Sequence, residues 1–254
     1  MVPARLAAAA VLAAACPAAF AAPDEIQVYT QETDEPGEFG LEMHVNYVPK
    51  GRRDATFPGE MKSEHRLQLT PEFSYGLSKT LEAGLYLPVA LSDDGHLFGN
   101  GIRVRLKYIA PRADGEHLFW GLNGELGHSA KRIAETANGL EIRPIVGYID
   151  DQWLLSFNPI FNMDLSDKVS RQPRFEPALK VTHAVGQGLR AGFEYYGEYG
   201  PLTHMLPRDE RSHFLYGVID VAIKGFDMNL GIGRGYTNAE DRWVVKAIFA
   251  IPFN

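Results

Sequence analysis

The sequence predicts an all-β fold, a single antiparallel transmembrane β-barrel of about 12 strands with short periplasmic turns and longer extracellular loops. The first observation is a period of two in apolar and polar side chains, repeated in segments of about ten residues between Leu41 and Phe253. The second is that the connections between these segments are alternately long and very short. Strands of this length cross a bilayer when tilted, and a membrane tolerates them only if the sheet closes on itself.

Residues 1–21 have the features of a secretory signal peptide and are set aside from the fold. Arg5 provides a positive start, residues 6–15 form an apolar stretch, and Ala19-Phe20-Ala21 fits the small-x-small cleavage pattern. Cys16, the only cysteine of the chain, lies inside this segment. Two interpretations of Cys16 stay open: it is removed with the signal, or it is lipidated, because the residues before it loosely resemble a lipoprotein signal.

Residues 22–38 are polar, and they predict an irregular N-terminal lead on the periplasmic side, ahead of a barrel formed by residues 39–254. Within the barrel, residues 81–91 show the period of two clearly, since leucines occupy one face while Glu82 and Tyr86 occupy the other. The first six predicted strands are residues 39–48, 65–77, 81–91, 101–110, 118–128 and 140–149.

The second half of the chain repeats this rhythm. Gly186-Gln187-Gly188 and Lys224-Gly225 are compact turns, and glycine permits the two-residue hairpin at the second of them. The connections at residues 50–54, 129–139 and 201–211 are long and polar, which predicts that they lie outside the cell. The last six predicted strands are residues 153–165, 174–185, 189–199, 212–223, 226–236 and 243–253.

Charged side chains identify the face that points into the barrel. Arg103, Arg105 and Lys107 alternate with apolar residues on the fourth strand. A charge on the lipid face near mid-bilayer costs about 2–4 kcal/mol, so these cations are predicted to face inward. The same phase places further acidic and basic residues inside in nearly equal numbers. Two interpretations stay open: a salt-bridged interior that supports the barrel, or a polar passage whose charges select solutes.

The fourth strand carries a local excess of positive charge that is suited to attract anionic solutes. Acidic residues on neighbouring strands are its expected partners, and inward-phased tyrosines are candidates for contacting a solute. The candidate residues of the lumen and solute path are Arg103, Arg105, Lys107, Glu82, Glu125, Glu141, Tyr86 and Tyr196.

Aromatic residues concentrate near the predicted strand ends. Outward-phased aromatics at strand ends are typical of the girdles at the two membrane interfaces, although a path for a carbohydrate or aromatic ligand is the alternative. The predicted girdle residues are Tyr47, Tyr75, Tyr108, Trp120, Tyr148, Trp153, Tyr199, Tyr236, Trp243 and Phe253.

Composition argues against several classes of function. The net charge is −7 without a basic stripe, so no nucleic-acid partner is predicted. The 8 histidines are scattered and form no metal-binding motif, and we predict no catalytic residues, no metal and no cofactor. One observation keeps a lipid-acting hydrolase open as a third candidate: His183 is phased outward, although no serine partner is evident.

The second and third predicted strands carry a family resemblance. The stretch from Thr70 to Pro88 contains a Tyr-Gly-Leu turn entry, a Leu-Glu pair and a Leu-Pro exit. This hairpin resembles that of the bacterial outer-membrane barrels known as putative transporters of the phenol-degradation MetA-pathway type. The resemblance implies a barrel fold, outer-membrane residence and uptake of small, often hydrophobic compounds. The chain departs from the usual C-terminal assembly signal, because Phe253 is followed by Asn254.

These observations predict export to the outer membrane of a Gram-negative bacterium. The expected partners are outer-membrane lipid and lipopolysaccharide, the barrel-assembly machinery and a small solute. The predicted activity is passive passage of a small solute, and the resemblance implies that this solute is hydrophobic or aromatic. The main alternative is a structural or envelope-interaction barrel with a plugged, salt-bridged lumen.

Overall fold

The computed structural model describes residues 25–166, 171–223, 225–237 and 240–251. These residues form a closed antiparallel barrel of twelve strands, which confirms the predicted fold class. The barrel closes because the first strand is hydrogen-bonded to both the second and the last. No helix among the described residues is long and apolar enough to cross a membrane. The predicted signal peptide, Cys16 and Phe253 fall outside the described residues.

Most strands match their predicted bounds to within about two residues, the usual uncertainty of a strand end. Two of the twelve, β3 and β4, are interrupted. The strands are β1 (Phe39–Lys50), β2 (Leu67–Ser78), β3 (Leu81–Tyr86 and Val89–Leu91), β4 (Leu97–Gly99 and Gly101–Ile109), β5 (Leu118–Ser129), β6 (Asn138–Ile149), β7 (Trp153–Asp164), β8 (Arg174–Gly186), β9 (Leu189–Glu198), β10 (Ser212–Ile223), β11 (Phe226–Gly235) and β12 (Trp243–Ala250).

The break in β3 and the additional Leu97–Gly99 part of β4 differ from the prediction, which has one continuous strand over residues 81–91 and a fourth strand that begins at residue 101. Pro88 has no backbone N–H, so it cannot continue the hydrogen-bonding ladder. Instead, the Asn100 N–H donates to the Pro88 carbonyl over 2.8 Å. Gly101 follows with a φ of 145°, a backbone conformation that would be strained in a residue with a side chain. The ends of β3 and β4 therefore form a separate small extension of the sheet towards the long connections.

The two ends of the barrel differ as predicted. One end, the turn end, carries the short connections at residues 79–80, 150–152 and 187–188, and also a longer one at residues 110–117. The other, the loop end, carries the long connections. Tyr108 and Trp120 lie at the turn end with ring centroids 5.9 Å apart, whereas Tyr47 and Tyr236 lie exposed near the loop end. This distribution fits the two predicted aromatic girdles.

Side chains alternate between the lumen and the outer surface along the strands. On β4, Val104 and Leu106 are 48% and 50% exposed, while Arg105 between them is 7% exposed. Gly233 of β11 leaves room for the ring of Tyr216, which a side chain at that position would meet. The alternation of exposure along β4 thus agrees with the predicted strand phase.

The N-terminal segment, defined here as residues 25–38, differs from its predicted position on the periplasmic side. Residues 25–29 lie inside the barrel, where Ile26, Val28 and Tyr29 are 2%, 4% and 5% exposed. The segment leaves the lumen at the turn end, where the Gly37 N–H donates to the Gly76 carbonyl over 2.8 Å. It lies inside because its apolar side chains find buried partners there and inward polar groups bind its backbone.

Candidate functional site in the barrel lumen

Inward side chains of β7 and β12 hold the backbone of the N-terminal segment. The Tyr29 N–H donates to the Asn158 side-chain oxygen over 2.7 Å, and the Ser156 hydroxyl donates to the Tyr29 carbonyl over 2.6 Å. The Lys246 ammonium donates to the Ile26 carbonyl over 2.9 Å. These bonds satisfy backbone groups that would otherwise be buried without partners, and so they fix the path of the segment through the lumen.

A cavity of about 910 Å³ occupies the half of the lumen nearer the turn end. It reaches the rim at Gly186, Gly188 and Gly225, and it extends inward to Glu72 and Glu194. Among the described residues, none from the long connections of the loop end lines it. The cavity is thus a vestibule that opens towards the turn end and ends in the middle of the barrel.

The vestibule is lined mainly by acidic side chains. Ten carboxylates and four basic groups belong to its lining. Of the predicted solute-path residues, Arg105, Lys107 and Glu82 line it, whereas the other five do not. The excess of positive charge predicted for β4 is therefore outweighed at this surface by carboxylates from other strands and from the N-terminal segment.

The basic residues of β4 are held in ion pairs. Arg105 Nε donates to Glu72 Oε1 over 2.8 Å, and Arg105 Nη2 lies 2.6 Å from Glu82 Oε1. The Lys107 ammonium lies 2.9 Å from the same Glu82 oxygen. Glu82 is thus the partner that the sequence predicts for this cluster, and Glu72 is a second partner that sequence reasoning did not assign to it.

The other two predicted acidic partners bind elsewhere. Glu141 Oε1 accepts a hydrogen bond of 2.6 Å from Arg143 Nε on its own strand. Glu125 accepts from the Tyr29 hydroxyl over 3.0 Å, although it lies directly opposite Arg105 in the register of β4 and β5. Among the described contacts, Arg105 and Lys107 therefore pair with Glu72 and Glu82 and with neither of these two carboxylates, for which the N-terminal segment and β6 supply partners.

Glu25 and Tyr29 of the N-terminal segment contact basic residues and tyrosines of the barrel wall, where the sequence predicted contacts from Glu125 and Glu141. Glu25 lies 3.4 Å from Arg103 and 3.5 Å from Arg143. The Tyr29 and Tyr86 hydroxyls are 2.5 Å apart, and the Arg143 guanidinium lies 4.1 Å from the centre of the Tyr29 ring. Tyr86 is fully buried by these contacts, so the structure covers a residue that we predicted to meet a solute.

A second group of charges surrounds Glu194 of β9. The Tyr196 hydroxyl donates to Glu194 over 2.6 Å, and the Lys180 ammonium lies 3.2 Å from the other carboxylate oxygen. Lys246 also pairs with Glu194, and Lys180 pairs with Asp220 over 2.7 Å. Tyr196, another candidate for contacting a solute, is therefore hydrogen-bonded to a carboxylate in the closed interior.

Apolar packing lies beyond these ion pairs, towards the loop end. Ile26 of the N-terminal segment belongs to a buried cluster with residues of β1, β10 and β12. The other members are Val48, Phe214, Tyr216, Val218 and Val244. The segment thus separates the vestibule from the loop end, with ion pairs on one side and an apolar layer on the other.

The connection between β1 and β2 folds over the loop end. Arg52 Nη2 donates to Glu60 Oε1 over 2.7 Å, and the Arg52 N–H donates to the Ser63 hydroxyl over 2.8 Å. Ser63 in turn donates to Asp241, in the connection before β12. Burial opposes ionisation of Glu60, but hydrogen bonds from Arg52 and Thr56 outweigh it and hold the pKa of Glu60 below its ordinary value. These bonds fix the connection in place.

Sequence reasoning missed Glu25, Tyr29 and Asn158 as parts of the interior site. The only local signal was the alternation of Ile26 and Val28 with polar neighbours, which is too short to separate a buried segment from an irregular lead. Their partners across the interior lie 57 to 129 residues away in the chain, so the contacts could be found only from the fold.

His183, the residue that kept a lipid hydrolase open, lies at the turn end of β8. Its ring packs edge-on against Trp153, with centroids 4.5 Å apart. This contact belongs to the aromatic girdle. His183 therefore has a packing role, and its described contacts include no nucleophile.

Comparison with known proteins gives similar folds and no family. No family model matches the chain, and no curated protein does. The chain is similar to an outer membrane channel from Pseudomonas putida F1, with a TM-score of 0.58, 10% identity, and coverage of 90% of this chain and 100% of that one. It is also similar to the NanC porin, with a TM-score of 0.56, 10% identity, and coverage of 84% and 99%. At this identity the likeness supports the barrel fold alone.

Proposed function

We propose that this protein is a passive channel for a small solute across the outer membrane, and that the N-terminal segment closes it in the conformation described here. The observation that carries the proposal is the vestibule of about 910 Å³ inside a closed barrel. A barrel that served only as a scaffold has no need of a large polar cavity open at one rim. Passage requires the N-terminal segment to move, because it separates the vestibule from the loop end.

The chemical class of the solute is the more specific part of this proposal. The ten carboxylates among the charged residues of the vestibule favour a cationic solute, since a cleft lined by one sign of charge concentrates ions of the other. The family resemblance favours a small hydrophobic or aromatic compound instead. Both classes belong in the transport assay, and the predicted attraction of anions by Arg103, Arg105 and Lys107 is not retained because carboxylates pair with all three.

The location and partners of the protein are part of the same proposal. We infer that the chain is exported through a cleaved signal, inserted by the barrel-assembly machinery, and surrounded by outer-membrane lipid and lipopolysaccharide. The signal-like N terminus and the apolar outer surface support this inference. Exposed apolar residues such as Val104, Leu122 and Ile232 support the lipid contact.

A structural barrel with a permanently closed lumen is the second candidate. The observation in its favour is the layer of ion pairs between β2, β4, β8, β9 and β12, which joins strands across the interior. In this case the N-terminal segment is a fixed part of the core, and the vestibule is a blind pocket.

Planar-bilayer recording of the refolded full chain separates the two candidates. A channel gives discrete current steps and admits small solutes in a liposome-swelling assay, with cationic solutes entering faster than anionic ones of equal size. A permanently closed barrel gives neither current nor swelling although it migrates as a folded, heat-modifiable protein. That second result contradicts the proposed channel.

A further inference from the structure

Three potential metal ligands converge on the lumen surface of β1 and β2. Glu42 and His44 lie two residues apart on β1 and therefore share its inward face. Glu72 of β2 lies directly opposite Glu42 in the register of the two strands. Rigid paired strands hold all three side chains, which suits a site that must keep its geometry.

The separations between the donor atoms match those around a bound metal ion. His44 Nε2 lies 2.9 Å from Glu72 Oε2 and 3.8 Å from Glu42 Oε2, and one donor atom from each residue lies within 4.8 Å of the others. Ligands about 2.1 Å from a tetrahedral cation stand about 3.4 Å from one another. Side-chain movements of less than about 1 Å therefore bring the three donors to bonding distance.

The charges at this point leave room for a cation. Carboxylates directly opposite each other on paired strands repel and destabilise the pairing unless a positive charge lies between them. Arg105 approaches the Oε1 atom of Glu72 and is shared with Glu82. The Oε2 atom of Glu72 faces His44 instead, as does Oε2 of Glu42.

An ion can reach these donors from the vestibule. Glu42 and Glu72 both belong to its lining, and the Glu42 side chain is 37% exposed while that of His44 is fully buried. Gln27 donates to Glu42 Oε2 over 3.1 Å and would turn away when an ion binds. The site thus has one accessible carboxylate at its mouth and two buried ligands behind it.

We propose that Glu42, His44 and Glu72 bind a divalent first-row cation such as Zn²⁺, with water completing the coordination. One imidazole nitrogen and two carboxylates form a common donor set for such ions. The ion takes the lone pair of His44 Nε2, and the ring proton moves to Nδ1. Because Nδ1 has no hydrogen-bond partner among the described residues, this shift breaks no hydrogen bond on that side of the ring. Binding does not depend on whether the barrel conducts solute.

Titration of the refolded, metal-free full chain with ZnCl2 in detergent tests the site. We expect one Zn²⁺ per chain by isothermal titration calorimetry, and at least tenfold weaker binding in Glu42→Gln. Glu42 is the side chain to change first, because it is partly exposed and its loss leaves the buried pair of His44 and Glu72 intact. The matched control is His96→Gln, which removes a histidine that lies 3.7 Å from Asp94 in an exposed connection.

Co²⁺ provides a second measurement that a loss of folding does not imitate. Co²⁺ bound through a nitrogen and two carboxylates gives visible absorption bands, and these bands should be lost in folded His44→Gln and kept in His96→Gln. The proposal is overturned if the wild-type chain takes up no Zn²⁺ and gives no Co²⁺ bands. It is equally overturned if Zn²⁺ binding and the Co²⁺ bands persist unchanged in folded Glu42→Gln and His44→Gln, because the ion is then held by other residues.

Discussion

At the scale of single residues, the Tyr29 side chain ties the N-terminal segment to three strands. Its hydroxyl accepts from Tyr86 of β3 and donates to Glu125 of β5, while its ring lies against Arg143 of β6. A hydrogen bond to a charged group contributes about 1.5–3 kcal/mol. This single hydroxyl is therefore a main contact holding the segment inside the barrel.

Tyr29→Phe is predicted to loosen the segment while the barrel stays folded. Loss of the hydroxyl removes both hydrogen bonds but leaves the ring in contact with Arg143. We expect more frequent openings in planar bilayers, with the control Tyr236→Phe unchanged because Tyr236 is 63% exposed on the outer surface. Equal opening frequencies in wild type and Tyr29→Phe would show that this hydroxyl does not hold the closed state.

Gly84 shows where strand phase alone misleads at the residue scale. Phase predicts that Gly84→Ser is mild, since Gly84 faces the polar lumen. The structure corrects this, because a Cβ at Gly84 would lie 2.6 Å from both Cγ and Nε of Arg105. The added side chain has to displace a guanidinium that is held by Glu72 and Glu82.

We therefore expect Gly84→Ser to lower barrel stability by about 1–3 kcal/mol through the loss of buried hydrogen bonds. The midpoint of heat modification on unboiled gels measures the effect. Gly217→Ser is the control, because a Cβ at Gly217 meets no atom within 4 Å. If the two variants unfold at the same temperature, Arg105 is free to move and the ion-pair layer is less rigid than described.

At the scale of the elements, β3 and β4 show how well a period of two sets the lipid face. Leu85 and Val104 lie opposite each other on the outer surface of these two strands, and Val104 is 48% exposed. The alternation alone identifies this face, because each strand obeys the same local rule whatever its neighbours are. Strand phase, strand number and the alternation of connections were therefore all predictable from the sequence.

Arginine at either position is predicted to hinder assembly. Each Arg near mid-bilayer costs about 2–4 kcal/mol, so Leu85→Arg and Val104→Arg should both lower the folded fraction in lipid vesicles. Val104→Leu keeps the site apolar and serves as the control. Fully folded, heat-modifiable barrels from both Arg variants would mean that this face is not in contact with lipid.

The N-terminal segment is the element whose position differs most from the sequence prediction. Its backbone partners, Ser156 and Asn158, lie on β7, and its ion-pair partners Arg103 and Arg143 lie on β4 and β6. No periodic pattern links residues so far apart in the chain. A short polar stretch is as typical of an irregular lead outside the barrel as of a segment inside it. The candidate site could be predicted as a charged lumen, but its closure could not.

At the scale of the whole molecule, the two barrel ends have different roles in the proposed channel. The vestibule opens at the turn end, and the long connections cover the loop end. Outer-membrane barrels have short periplasmic turns and longer outer loops, so the vestibule is predicted to face the periplasm. The closed segment would then separate it from the cell exterior.

Epitope tags on whole cells test this orientation. Tags in residues 50–54, 129–139 and 201–211 should be accessible to antibody on intact cells, because these connections lie at the loop end. Tags at residues 79–80 and 187–188 should become accessible only after the outer membrane is permeabilised. The reverse pattern would show that the vestibule faces the exterior.

The central claim is that the N-terminal segment closes a barrel that conducts when the segment moves. Val28 of the segment and Ala178 of β8 belong to one buried cluster, so these two positions are chosen for a cysteine pair designed to tie the segment to the wall. The direct measurement is the bilayer conductance of Val28→Cys/Ala178→Cys before and after reduction, in a chain without Cys16. We predict no current in the oxidised state and discrete openings after dithiothreitol is added. Equal conductance in both states would contradict the claim.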